Sequence, residues 1–229
     1  MLAVRVIPTL LVRGASIVKG KRFAADRPIG FLLPAVRVFD ARQVDELVIL
    51  DVSARAEGRT IRPELVASLD FHGPLAVGGG VRSVDDARAL LLAGADKIVL
   101  GSAQAASIPD LARALGSQSV VVTLDHREGE IPVDAARALE RAGAGEIILQ
   151  AMDRDGMMCG YDLAALRAVV AAVGIPVVAS GGAGSYADMA EALYAGAHAV
   201  AAGAMWQFTD ATPAGARAYL RERGWPTRV

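Results

Sequence analysis

The stretch Val177-Val178-Ala179-Ser180-Gly181-Gly182-Ala183-Gly184 decides how this sequence folds. A short apolar run ends in a glycine-rich turn, and residues 185–195 follow with helical spacing, which predicts strand, tight loop and helix. Glycine lets the backbone come close to a bound anion, and amides near a helix start can donate to it. The loop is therefore either a phosphate-binding loop or a tight turn in which glycine only relieves steric crowding.

The same pattern occurs earlier in the chain at a fixed spacing. Gly79 and Gly80 lie 102 residues before Gly181 and Gly182, and Gly101 stands at the same distance before Gly203, with no gap needed. Self-similarity at a long fixed spacing indicates duplication of a structural unit. Each unit is about half of the chain, so we predict a duplicated half-domain and not a solenoid.

Alternation of apolar runs with helical segments predicts the fold class. Strands are predicted near residues 3–11, 46–51, 75–78, 97–100, 119–125, 146–151, 176–180 and 199–202. Helices are predicted near residues 34–42, 63–69, 84–93, 108–115, 133–142, 163–173, 186–195 and 213–223. Eight such units predict an α/β fold, a (β/α)8 TIM barrel made of two duplicated half-barrels. A doubly wound open sheet is the alternative, but it needs no half-chain repeat.

Composition limits the function classes. The 229 residues suffice for one large core, 53% are hydrophobic, and the formal net charge is −1, which predicts no nucleic-acid partner. No apolar run approaches the roughly 20 residues that span a bilayer, and the start lacks a signal-peptide pattern. Cys159 is the single cysteine, so no internal disulfide can form. We expect a cytoplasmic enzyme or enzyme subunit, one domain over residues 1–229, without membrane association.

Two anion sites are predicted at the carboxyl ends of the strands, where barrel chemistry is found. The first glycine site comprises Gly79, Gly80, Gly101 and Ser102, and the second glycine site comprises Gly181, Gly182, Gly203 and Ala204. Ser180 ends the strand before the second site. Two such sites across a barrel fit a substrate with a phosphate at each end. The alternative is that the symmetry persists because the fold needs the turns.

Carboxylates at strand ends are the candidates for proton transfer. Asp125 ends strand five and is the predicted general acid or base. Asp155, before Gly156, is placed to reach the second glycine site, although an Asx turn would also explain it. Leu11 stands opposite Asp125 when the halves are aligned, where a two-carboxylate mechanism would want an acid. The three histidines share no metal-ligand spacing, so neither a metal nor a cofactor is predicted.

The sequence resembles the cyclase subunit of imidazole glycerol phosphate synthase over residues 1 to about 204. The motifs that carry the resemblance are MLAVRVIP (1–8), VKG (18–20), DELVILD (45–51), VGGGVRS (77–83), GSQ (116–118), GAGEII (143–148), MDRDG (152–156), GYD (160–162) and ASGGAG (179–184). The resemblance implies a (β/α)8 barrel with a class I glutaminase docked on its bottom. It also implies that ammonia from the glutaminase is joined to a bisphosphorylated ribulosyl nucleotide.

Residues of that family map onto this chain one by one. The resemblance implies an ammonia gate at the barrel bottom, formed by Arg5, Glu46, Lys97 and Glu146. The alternative is that these four residues pair only with one another and close the end of the barrel. Lys19 and Asp51 match the family's loop lysine and substrate-side aspartate, and Asp125 matches its second catalytic aspartate.

Departures from the family cluster at the catalytic face. The first catalytic aspartate is replaced by Leu11, an asparagine of the first phosphate site by Gly101, and a threonine on strand six by Gln150. The loop after strand one, residues 20–33, and the loop after strand five, residues 126–132, also differ. In having a leucine at position 11, the sequence resembles cyclase-like paralogues of surface-polysaccharide biosynthesis. Those paralogues are thought to pass ammonia to a separate amidotransferase.

Three functions follow as hypotheses. The first is a cyclase-type subunit that receives ammonia from a glutaminase and binds a phosphorylated substrate, with Asp125 as the remaining acid or base. The second is a non-catalytic ammonia conduit that supplies a separate sugar amidotransferase. The third is a histidine-pathway sugar isomerase, which also needs an acid at both strand ends.

Overall fold

The computed structural model describes residues 3–24 and 26–228. Residues 1–2 of the first motif, residue 25 of the predicted loop 20–33, and residue 229 lie outside the described residues. In chain order the strands are β1 (Arg5–Arg13), β2 (Ser16–Lys19), β3 (Arg27–Phe31), β4 (Leu47–Asp51), β5 (Leu75–Gly78), β6 (Lys97–Gly101), β7 (Val120–His126), β8 (Glu146–Ala151), β9 (Val177–Ser180) and β10 (Ala199–Ala202).

Eight of these strands close into a parallel barrel. The order runs from β10 through β9, β8, β7, β6, β5 and β4 to β1, and β1 pairs again with β10. Arg5–Pro8 pair in parallel with β10, while Thr9–Val12 pair with β4, so β1 is shared between its neighbours in a staggered register. The closed eight-strand barrel is confirmed, and the open sheet is not formed.

Helices alternate with the barrel strands as predicted. They are α1 (Leu32–Ala41), α2 (Pro63–Ala67), α3 (Val84–Leu92), α4 (Ile108–Leu115), α5 (Val133–Ala142), α6 (Leu163–Val170), α7 (Tyr186–Tyr194), α8 (Ala204–Phe208) and α9 (Pro213–Glu222). The short helix α8 and the antiparallel hairpin of β2 and β3 were not predicted. Within residues 3–24 and 26–228, each helix is too short or too polar to reach across a bilayer.

Two apolar clusters hold the barrel together. The outer cluster lies between strands and helices, where alternate strand residues such as Val6, Leu10 and Val12 are buried. The inner cluster fills the barrel and consists of Ile7, Val48, Ala76, Val99, Val121, Ile148, Val178, Ala199 and Ala201, with Leu50 packed against it. Both faces of the strands are therefore buried, which explains their near-continuous apolar sequences.

The duplication is visible in the local geometry of the two halves. Ser83 caps α3 and Ser185 caps α7, and each hydroxyl accepts from the backbone amide of the aspartate three residues later, at 3.1 Å and 3.2 Å. Those aspartates, Asp86 and Asp188, accept in return from the backbone amides of the two serines. Both helix starts are thus complete capping boxes, 102 residues apart.

Matched substitutions test this equivalence. Ser83→Ala and Ser185→Ala are each expected to lower the free energy of unfolding by about 1 kcal/mol, because each removes a side-chain cap. Urea unfolding of both variants would check the prediction. A cost at one serine and none at the other would show that the two caps do not contribute equally.

Candidate functional site

A cavity of about 380 Å³ opens at the carboxyl ends of the barrel strands. The bottom of the cavity is formed by residues of the inner cluster, namely Val48, Ile148 and Ala201. One side is apolar and the other carries polar groups. The apolar side includes Leu11, Phe23, Leu50 and Val52, and the polar side includes Thr123, Asp125, Gln150, Asp155 and Ser180.

Asp125 is the predicted acid or base, and it lies in this cavity. It stands near the end of β7 and pairs in register with Gln150 on β8. Its side chain is open to the cavity while protein surrounds it on most other sides. Burial raises the pKa of Asp125 above its ordinary value; the nearby His126 opposes this and the charge of Asp155 adds to it. Leu11 lines the same cavity, so the second carboxylate of a two-acid site is missing there.

Asp125→Asn is expected to make the protein more stable at neutral pH. An acid whose pKa is raised by folding contributes stability below its ordinary pKa of about 3.9, and this is lost as pH rises through the raised folded value. Asparagine removes that loss, so the variant should gain stability at pH 7 and lose this advantage below about pH 3.9. Urea unfolding at several pH values measures it. Asp210→Asn, at an exposed carboxylate, is the control and should change little.

Lys19 is carried into the cavity by the hairpin. It ends β2, is buried, and its Nζ donates to Asp155 Oδ1 at 3.1 Å. The Arg22 amide donates to the Asp155 carbonyl oxygen at 2.9 Å, which ties the hairpin loop to the loop after β8. A Cβ built on Gly203 would lie 3.4 Å from Lys19 Nζ, so the ammonium stands beside the second glycine site.

The second glycine site lines the cavity. Gly181 and Gly182 have φ values of 85° and 109°, which favour glycine, and a Cβ at Gly182 would overlap the carbonyl oxygen of Gly160. Steric need therefore accounts for these glycines, and their binding of an anion stays a prediction. Every other predicted residue of this side also lines the cavity, namely Gly156, Ser180, Gly203 and Ala204.

The first glycine site does not line the cavity, although Gly101 adjoins Thr123, which does. Gly79, Gly80, Gly101 and Ser102 are absent from its lining, and so is Asp51. The buried Asp51 carboxylate accepts from the Ser53 amide at 3.0 Å, from the Ser53 hydroxyl at 2.9 Å and from Arg59 at 2.7 Å. Asp51 thus holds its own loop together, and the predicted contacts of these five residues with substrate stay predictions.

Four charged side chains form a closed ring at the opposite end of the barrel. Arg5, Lys97 and Glu146 begin β1, β6 and β8, and Glu46 directly precedes β4. Arg5 contacts Glu46 at 2.5 Å and also pairs with Glu146, while Lys97 lies 3.0 Å from Glu46 and 2.9 Å from Glu146. Each cation therefore bridges both carboxylates, and the ring closes the barrel below the inner cluster.

Pairing within the ring outweighs the cost of burying its charges. Burial alone would lower the pKa of Arg5, but the hydrogen bonds and charges of Glu146 and Glu46 raise it above its ordinary value. Burial alone would raise the pKa of Glu146, but Arg5 and Lys97 hold it below its usual range. Arg5 and Glu146 are thus both held in their charged forms by their partners in the ring.

Two charged residues that line the cavity, Arg13 and Asp26, were not found from the sequence. Arg13, near the cavity opening, pairs with Asp26 at 3.0 Å across the hairpin. Ser180 donates to Gln150 Oε1 at 2.6 Å on the polar side. A hairpin that folds back onto β1 brings Arg13 and Asp26 together, and no periodicity in residues 20–33 indicated it. The described residues contain no cluster of side chains that would hold a metal ion.

Comparison with known proteins places the chain among histidine-biosynthesis proteins. Residues 5–211 match the family model described as "Histidine biosynthesis protein". A curated relative from Hyphomonas neptunium (strain ATCC 15444), "Imidazole glycerol phosphate synthase subunit HisF", is 44% identical over 252 aligned positions. The alignment covers 100% of this chain and 100% of the relative.

Proposed function

The chain belongs to the histidine biosynthesis protein family, as a HisF-like cyclase subunit of imidazole glycerol phosphate synthase, and on this premise we propose how it works. A class I glutaminase docks on the end of the barrel that carries the ring. Ammonia enters through the ring, crosses the inner cluster and reaches the cavity, where a phosphorylated substrate is bound.

The closed ring below an open cavity is the observation that carries this proposal. A ring of buried ion pairs is weak evidence for stability, because hydrophobic residues of similar volume often serve as well. The presence of this ring directly below an apolar inner cluster is therefore better explained by function. Ammonia is small and neutral, so we propose that it crosses the inner cluster beside the small side chains of Ala76, Ala199 and Ala201, whereas ammonium would have to leave its hydration shell.

The cavity supplies the groups that a phosphorylated substrate needs. Lys19 provides a cation beside Gly203, and the Asp155 carboxylate holds the Lys19 side chain in place. Asp125, with its raised pKa, is poised to exchange a proton with a nitrogen or oxygen of the substrate. The phosphate would lie at the second glycine site, and the reacting atoms would lie between Asp125 and the inner cluster.

Reconstitution with the glutaminase of the same host tests the proposal. Glutamine hydrolysis should be faster in the mixture than with the glutaminase alone, and an inorganic phosphate or sugar phosphate should protect the barrel against thermal unfolding. Size-exclusion chromatography reports the complex. A glutaminase that neither binds the chain nor changes its rate of glutamine hydrolysis would refute the docking part.

A second candidate function rests on Leu11. Leucine cannot transfer a proton, and it lies in the cavity where a second acid would act with Asp125. This favours a non-catalytic conduit that raises glutaminase activity and passes ammonia to another protein. Glutaminase stimulation with no turnover of the ribulosyl nucleotide, even with excess ammonium, would support the conduit over the cyclase.

A further inference from the structure

Three polar side chains stand side by side on neighbouring strands at the carboxyl end of the barrel. Asp125 on β7 pairs in register with Gln150 on β8, and Gln150 pairs in turn with Ser180 on β9. All three line the cavity and belong to its polar side. A ligand in the cavity therefore meets a carboxylate, a carboxamide and a hydroxyl in this order along the wall.

The carboxamide of Gln150 is fixed at one end by Ser180. The Ser180 hydroxyl donates to Gln150 Oε1 at 2.6 Å, so the amide nitrogen Nε2 is the end that is left to donate elsewhere. Within the part of the chain that the structure describes, Nε2 makes no hydrogen bond to a protein acceptor. Gln150 is half-buried and lines the cavity, so a ligand can reach this nitrogen.

The amide nitrogen of Gln150 lies over the second glycine site. A Cβ built on Gly181 would stand 2.9 Å from Gln150 Nε2, which is too close for a side-chain atom. Because β8 lies between β7 and β9, the carboxamide stands between this site and Asp125. A ligand whose phosphate lies on the second glycine site therefore passes Gln150 before it reaches Asp125.

The neighbouring hydroxyl protons on this side of the cavity are already engaged. Thr123 Oγ1 donates to the Leu100 carbonyl oxygen at 3.2 Å, and Ser180 donates to Gln150. The Asp125 carboxylate, when ionised, accepts hydrogen bonds and cannot donate them. The polar side thus offers a free neutral donor, the Gln150 amide, directly beside an acceptor.

A donor beside an acceptor matches a carbon chain that carries oxygen atoms on adjacent carbons. A hydroxyl or carbonyl oxygen of such a chain accepts from Gln150, while a neighbouring hydroxyl donates to Asp125. An alkyl chain makes neither contact. It would also remove water from the Gln150 amide without replacing the lost hydrogen bond, which weakens binding.

We propose that Gln150 is a specificity-determining residue of the cavity, which binds a hydroxyl or carbonyl oxygen of a sugar chain through Nε2. Ser180 is its positioning residue, because the serine hydroxyl fixes which end of the carboxamide faces the ligand. This inference rests on the proposed function, in that it specifies how the cavity recognises the carbon chain of its phosphorylated ligand.

Calorimetric titration of the full chain with two phosphates of equal chain length tests it. Ribulose 5-phosphate carries oxygen atoms along its chain, whereas n-pentyl phosphate carries none beyond the phosphate. We expect the natural protein to bind ribulose 5-phosphate about tenfold or more tightly, because a site that hydrogen-bonds an oxygen rejects the analogue without it. Gln150→Leu should weaken binding of ribulose 5-phosphate about fivefold or more and should not weaken binding of pentyl phosphate.

Further variants separate recognition from damage to the cavity. Gln150→Met keeps the length of the side chain without the donor, and it should lose the same preference even where Gln150→Leu fails to fold. Ser180→Ala should weaken binding of ribulose 5-phosphate alone, by about threefold, because the carboxamide loses its fixed partner. Gln118→Leu, at an exposed glutamine before β7, is the matched control and should leave both dissociation constants unchanged.

The outcomes that would overturn the inference can be told apart. If the natural protein binds both phosphates equally, or if Gln150→Leu and Gln150→Met keep its preference, Gln150 has no role in recognition. If these variants weaken both phosphates to the same extent, their effect is on the shape of the cavity, and the inference is again wrong. In each of these cases the phosphorylated ligand of the proposed function remains. If neither phosphate binds the natural protein at millimolar concentration, the substrate part of the proposed function fails, and the inference with it.

Discussion

Glu146→Gln is expected to lower the free energy of unfolding by about 3 kcal/mol at neutral pH. The substitution leaves Arg5 and Lys97, both bonded to Glu146, to share Glu46 alone. Removal of one partner from a buried ion pair typically costs about 3–5 kcal/mol, because the remaining charge is uncompensated. Urea unfolding at pH 7.5 measures the loss. Glu64→Gln, at an exposed position in the first turn of α2, is the control and should cost less than about 0.5 kcal/mol.

The same variant should be less sensitive to acid. The pKa of Glu146 is depressed by its partners, so its contribution to stability is present above the ordinary glutamate pKa of about 4.3. That contribution is lost as pH falls through the lower folded value. The difference between Glu146→Gln and the natural protein should therefore be constant from about pH 6 to 8 and shrink at acidic pH. A difference that does not change with pH would mean that packing, and not charge, is responsible.

Turnover of the ribulosyl nucleotide by the natural sequence is expected to be slow even with saturating ammonium. General acid–base catalysis contributes about 10²–10⁴-fold, and Leu11 removes one of the two groups. We therefore expect kcat at least about 100-fold below that of a cyclase subunit with an acid at this position. Asp125→Asn should eliminate the remaining turnover.

Steady-state assays with ammonium chloride, without any glutaminase, measure this directly. A comparison of kcat and KM separates the missing acid, which lowers kcat, from weaker binding of the substrate, which raises KM. Leu11→Asn changes the shape and polarity of this position without adding a titrating group, so it should leave kcat low. A natural protein with kcat within tenfold of a two-carboxylate cyclase would refute the role given to Leu11.

The barrel was predictable because its signals are local or periodic. Continuously apolar strands, glycine turns and the 102-residue spacing of Gly79 and Gly181 each predict a duplicated closed sheet. The ring was assigned by resemblance, and the position of its members at strand starts agrees with it, because parallel strands bring their starts to one end of a barrel. Lys19 was assigned by resemblance alone, because nothing in its own segment indicated that a hairpin carries it into the cavity.

The asymmetry between the two glycine sites was not predictable. The sequences around Gly79 and Gly181 share the glycine pair and the serine that caps the next helix, so both receive the same predicted role. The difference depends on Gln104, beside Gly101 in the six-residue 3₁₀ segment after β6, and on the hairpin that places Lys19 beside Gly203. Both are contacts between segments distant in sequence or irregular in conformation, which propensity and periodicity do not encode.

Amide hydrogen exchange of the barrel, with and without its glutaminase, tests the central claim most directly. Binding should protect the loops that lead into the barrel strands at the ring end, such as residues 42–46, 94–96, 143–145 and 223–228. The loops that line the cavity, such as residues 20–24 and 152–156, should be unchanged. Protection of the cavity loops, with none at the ring end, would contradict the proposal that ammonia enters through Arg5, Glu46, Lys97 and Glu146.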